Sequence, residues 1–108
     1  VIEMEGIELI SFQIISAVGT ARSMYIEAIQ AAKAERFDEA AKLLEEGQEL
    51  FVQGHHAHAQ LIQNEANGEK TEFALLLMHA EDQLMSAEAF GILAQEFVDV
   101  YKKMKGNM

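Results

Sequence analysis

The chain contains no proline, and the three-and-four spacing of its apolar residues is interrupted in only two places. Both features point to long helices. Proline removes an amide donor and clashes with the preceding turn, whereas apolar residues alternately three and four positions apart line one face of a helix. The interruptions are Lys33-Ala34-Glu35-Arg36-Phe37 and Asn67-Gly68, the second a left-handed stop of the kind that ends helices. The expected fold is therefore all-α. It is an antiparallel three-helix bundle with helices at roughly 7–34, 38–66 and 71–104 in a single domain spanning 1–108. Asp38 is placed to cap the second helix, with Phe37 ahead of it as a hydrophobic staple.

Each helix carries a packing seam. In the first it reads Ile7, Ile10, Ile14, Ala17, Ala21, Met24, Ala28 and Ala31, and in the second Ala40, Leu43, Gly47, Leu50, Gly54, Ala57 and Leu61. The small residues of the second seam let a neighbouring helix approach closely. The third helix has two apolar stripes. Phe73, Leu77, Ala80, Leu84, Ala87, Gly91, Ala94, Val98 and Tyr101 form one seam. At about 100° per residue, Leu75, Met78, Met85, Ala89 and Ile92 fall on the opposite side, leaving Glu81, Glu88 and Asp99 on a narrow solvent face. A chain of 108 residues has trouble covering so much apolar surface alone. The second stripe is expected to be a subunit interface, the alternative being a short bundle that wraps more of this helix.

Composition excludes several classes of function. Cysteine is absent, so neither disulfides nor thiolate metal sites form. The apolar runs are far shorter than the roughly 20 residues needed to cross a bilayer, and no signal segment opens the chain, so a cytoplasmic protein without membrane insertion is expected. A formal net charge of -10 repels nucleic acid and anionic membranes and favours a basic protein partner.

Asp82 interrupts the second stripe between Met78 and Met85. A carboxylate in an apolar contact is costly unless it is paired or bound to a cation, and copies meeting on a symmetry axis can share one hard ion. A wet rim would also accommodate it. His79 lies three residues before Asp82 on the neighbouring line of the helix, with Glu72 and Ser86 a heptad away on either side. Its imidazole is nucleophilic near neutral pH and suits phosphoryl relay, but nothing in the spacing proves this use, and a lone histidine on a helix is more often a hydrogen-bonded structural residue. His55, His56 and His58 lack the His-Glu-x-x-His pattern and read as packing and polar support, with His55 and His58 near the apolar side. Arg22, set among Val18, Tyr25 and Ile29, is expected to pair with an acidic side chain, with phosphate neutralisation as the alternative.

Three segments resemble the lactose/cellobiose-specific IIA family of the bacterial phosphoenolpyruvate:sugar phosphotransferase system. They are Ile10-Ser11-Phe12-Gln13-Ile14-Ile15-Ser16-Ala17-Val18-Gly19-Thr20-Ala21-Arg22-Ser23, Gly54-His55-His56-Ala57-His58 and, most specifically, Leu75-Leu76-Leu77-Met78-His79-Ala80-Glu81-Asp82-Gln83-Leu84-Met85. The resemblance implies that His79 is the phosphorylated residue and that Asp82 binds a divalent ion, expected to be Mg²⁺, on the axis of a homotrimer. It implies that phosphoryl groups arrive from the phosphocarrier HPr and leave to the cysteine of a IIB component, serving uptake of a lactose/cellobiose-type sugar. Many members of the family have Gln-Asp-His where this chain has Glu81-Asp82-Gln83, and no role is assigned to Glu81 or Gln83. Two rival readings differ in kind. A histidine phosphotransfer domain would show a Lys-Gly pair after the histidine, which is absent here. A non-catalytic trimeric helical scaffold or metal-binding bundle would leave all four histidines structural.

Overall fold

The computed structural model of the chain describes residues 6–106, so the outermost residues of the expected 1–108 domain, 1–5 and 107–108, lie outside the described residues. Three helices run up, down and up: α1 (Ile7–Lys33), α2 (Phe37–Ala66) and α3 (Leu75–Gly106). The body measures 57 × 32 × 19 Å, its thinnest dimension being about two helix diameters. α1 packs extensively on both partners, while α2 and α3 touch each other much less. An open groove of about 540 Å³ is left between them, lined by Leu44, Gly91, Ile92 and Lys102 among others.

Helix ends follow the chemistry of unsatisfied carbonyls. At the end of α1, Arg36 N–H donates to Ala31 O (2.8 Å) and Glu35 N–H to Ala32 O (3.0 Å), which requires Glu35 to sit in the left-handed region at φ 65°. The end of α2 repeats this arrangement. There Gly68 takes the left-handed position (φ 92°), as its lack of a Cβ favours, and Glu69 N–H reaches Asn64 O at 3.0 Å. The start of α2 differs from expectation. Phe37 is already helical, the cap position belongs to Arg36, and no side chain bonds the free amides. Asp38 instead joins Glu39 in the first turn, where Arg36 Nε donates to Glu39 Oε2 at 2.6 Å.

α3 begins at Leu75, one turn later than the spacing predicts. Glu69 to Ala74 connect the two helices without regular secondary structure, and Thr71 and Glu72 border the end of the bundle with Ile7, Ile10 and Leu61. Phe73, expected in the seam, is consequently left 80% exposed.

Apart from Phe73, the seams of α2 and α3 follow the lines read: Ala40, Gly47, Gly54 and Leu61 are buried on α2, and Leu77, Ala80, Leu84, Ala87, Ala94 and Val98 on α3. On α1 the buried line is rotated by part of a turn. Val18 and Tyr25 occupy it in place of Ala17 and Met24, and Ser11 joins it at 0% exposure. Complementary shape explains the rotation. A Cβ on Gly54 would lie 2.6 Å from Val18 Cγ1, and Cβ atoms on Gly47 and Gly91 would lie 2.7 and 3.0 Å from the Tyr25 ring. The glycines of α2 and α3 are notches that receive the two bulky side chains of α1. The Tyr25 hydroxyl keeps a long hydrogen bond to Gln48 Oε1 (3.4 Å), and burial raises its pKa above 10.0.

Candidate functional site

His79 is the fifth residue of α3, and its side chain is exposed. The backbone beneath it is fixed because Ala80, Leu84 and Ala87 pack with Ile14 and Val18 in one core cluster. Asp82 is exposed one turn on. Around it Leu75 (76%), Met78 (52%), Met85 (64%) and Ile92 (61%) are bare in the single chain, so the bundle does not wrap the second stripe.

The polar residues on either side of Asp82 turn inward to different helices. Glu81 Oε2 lies 2.7 Å from Nε2 of the half-buried His58 on α2, and Gln83 Oε1 accepts a 2.6 Å hydrogen bond from Arg22 Nη1 on α1. The turn bearing His79 is thus tied to both neighbours. These contacts correct two expectations. Glu81 is not a plain solvent-face residue, and the partner of Arg22 is a neutral amide rather than a carboxylate. Successive residues at about 100° steps place 81 and 83 on opposite flanks of 82, a signal present in the sequence but unusable without knowing which helix lies on which flank. The chain's departures from the common Gln-Asp-His pattern are therefore the two positions that make these ties.

The second-helix histidines do not assemble with His79. His58 lines a groove of about 260 Å³ with Leu61, Leu77 and Met78, His55 is exposed while stacking on Phe51 (centroids 6.1 Å, 23° between planes), and His56 faces outward. Among the described residues, no three His, Asp or Glu side chains approach closely enough to hold a metal ion within one chain. No helix among the described residues is long and apolar enough to cross a membrane.

Residues 9–102, which include His79 and Asp82, match the family described as PTS system, lactose/cellobiose specific IIA subunit. The chain belongs to that family. It is 46% identical over 100 residues to the lichenan-specific phosphotransferase enzyme IIA component of Bacillus subtilis, covering 93% of this chain and 91% of the relative. Among solved structures, the cellobiose-specific enzyme IIA of Bacillus anthracis superposes with a TM-score of 0.94 at 43% identity, covering 98% of this chain and 97% of that one. The IIA(chitobiose) protein in complex with HPr, from the N,N'-diacetylchitobiose system, gives a TM-score of 0.83 at 25% identity over 94% of this chain and 99% of that one. As a IIA component of the phosphotransferase system, the chain has a general role in phosphoryl transfer.

Proposed function

We propose that this IIA protein accepts a phosphoryl group on His79 from phosphorylated HPr and passes it to the cysteine of a IIB component, supporting uptake of a lactose/cellobiose-type sugar. The observation that carries this reading is the exposure of His79 on a closely packed helix. A partner's phosphohistidine can approach it in line, and positioning, which contributes much of the catalysis in phosphoryl transfer, is supplied by the core beneath Ala80. The similar IIA structure solved with HPr supports the choice of donor.

The bare second stripe of α3 supports a homotrimer in which three copies of this face meet and bring the Asp82 carboxylates together. The exposed Asp82 carboxylate within that apolar stripe is the observation that supports an ion held jointly by several copies. Carboxylate oxygens suit a hard cation such as Mg²⁺, which would offset the repulsion among the three charges. Asp82 is then structural and His79 is the group that reacts.

The test is incubation with phosphoenolpyruvate, enzyme I and HPr, followed by mass analysis. One acid-labile, base-stable phosphate on His79 is expected, and H79A should take up none while keeping its helicity. Label on another residue, or equal labelling of H79A, would overturn the assignment.

A further inference from the structure

Arg22 is half-buried on α1, and its Nη1 donates to a neutral acceptor, Gln83 Oε1, at 2.6 Å. In a chain with 18 acidic residues this is unusual. Arg36 and Lys105 each pair with a glutamate, yet among the described residues no carboxylate pairs with Arg22. A guanidinium has five N–H donors in a rigid fork that matches the oxygens of phosphate, and one bond to an amide fixes the fork without neutralising its charge. The result is a positioned positive charge with donors to spare.

Its direction follows from the packing. α1 and α3 run parallel: Ile14 and Val18 pack with Ala80, Leu84 and Ala87, while Ala21 and Tyr25 pack with Ala94 further along. Side chains on a helix lean toward its N-terminus. Arg22, attached between the levels of Val18 and Tyr25, therefore reaches back along α3 to Gln83, and Gln83 leans toward His79, one turn earlier on the same surface of the helix. The guanidinium is thereby brought to the side of α3 that carries His79.

We propose that Arg22 binds the phosphoryl group carried by His79 and that Gln83 is its positioning residue, an inference that rests on the phosphocarrier reading above. In the transfer, a ring nitrogen of His79 forms a bond to phosphorus as the donor's N–P bond breaks. The electron pair of the broken bond stays on the donor's ring nitrogen, which gains a proton, and His79 gives up the proton of its other ring nitrogen. Arg22 exchanges no proton. It contributes charge and N–H donors to the equatorial oxygens, where negative charge is concentrated. A neutral partner serves this purpose, because a carboxylate at position 83 would compete with the phosphoryl oxygens for the same donors.

The experiment uses the full chain phosphorylated through enzyme I and HPr, with ³¹P NMR reading both the partition of phosphate between HPr and His79 and the chemical shift of the phosphohistidine. R22Q should shift the partition toward HPr by about tenfold, the scale of one charge-assisted hydrogen bond, and move the resonance. R22K should recover part of both effects. Q83E, which leaves Arg22 in place but neutralises it, should act in the same direction as R22Q, so the test survives if R22Q fails to fold. Wild-type partition and shift in both R22Q and Q83E would overturn the proposal while leaving the phosphocarrier reading intact. A wild-type chain that takes no phosphate on His79 would overturn both.

Discussion

Placing one methyl group at two glycines of this bundle should change stability in opposite directions. Gly19 and Gly54 both lie inside helices, so replacement by alanine gives each the same benefit, about 1 kcal/mol of helix propensity and reduced unfolded-state freedom. Their surroundings differ. A Cβ at Gly19 meets nothing within 4 Å, whereas at Gly54 it would lie 2.6 Å from Val18 Cγ1. Val18 is 1% exposed, stiff at χ1 and packed in the cluster beneath Ala80, so it cannot swing aside and α1 must move from α2. Overpacking of this kind costs about 2–3 kcal/mol, leaving G54A destabilised by about 1–2 kcal/mol while G19A is stabilised by up to about 1 kcal/mol. Unfolded-state effects cancel in the difference between the variants. At 4–8 °C per kcal/mol for a small domain, their melting temperatures should differ by on the order of 10 °C or more. Thermal unfolding followed by circular dichroism, at one fixed chain concentration because any self-association would shift the midpoint, is the assay. A G54A protein melting at or above G19A would refute the notch as the reason for glycine there.

For the proposed assembly, chelation of divalent ions should weaken a wild-type trimer, whereas D82L should form the trimer and be indifferent to chelator, since apolar side chains often replace a buried charge cluster without loss. Sedimentation velocity distinguishes these outcomes, and a wild-type monomer at micromolar concentration with Mg²⁺ present would remove the interface. H55A, H56A and H58A should each still accept phosphate, with slower transfer in H58A because its loss frees Glu81; absence of labelling in H56A, whose side chain is exposed, would contradict the site. Tyr25 gives a pH test. Its folded-state pKa is raised above 10.0 by burial, so its contribution to stability is complete below pH 10.0 and is lost as pH rises through the folded value. Y25F should lose stability less steeply above pH 10.0 in alkaline denaturation, and an identical slope would contradict the burial.

The sequence pattern revealed the helices and the seams of α2 and α3 because each has one uninterrupted line of small or apolar residues, such as Gly47, Gly54 and Leu61 or Ala80, Leu84 and Ala87. On α1 it pointed to the wrong line. Ile15, Ala17, Met24 and Ile26 allow several such lines to be drawn, and the choice is made by notches on other helices, which a single helix's spacing does not contain. The same reason applies at the site. His79 and Asp82 are neighbours on one helix, so spacing singles out the positions and the family resemblance supplies their expected roles, but the partners of Glu81, Gln83 and Arg22 are 23 and 61 residues away and depend on how the helices dock. The late start of α3 was hidden because Thr71 to Ala74 carry no proline or glycine to interrupt the spacing.

That late start also determines the field at His79. Aligned peptide dipoles give a helix a partial positive charge over its first turn, and beginning α3 at Leu75 puts that turn immediately ahead of the histidine. The first turn of α2 contains Asp38 and Glu39, which complement its positive end. The first turn of α3, from Leu75 to Met78, holds no acidic residue. A phosphoryl group on His79 would be the anion nearest along its own helix, and because the residue lies just past the first turn each of its negative charges would gain about 0.3 kcal/mol or less. Four more helical residues at the start would carry the positive end a full turn away and weaken that hold, so the length of the connection before α3 becomes a means of setting how readily phosphate is kept or given up.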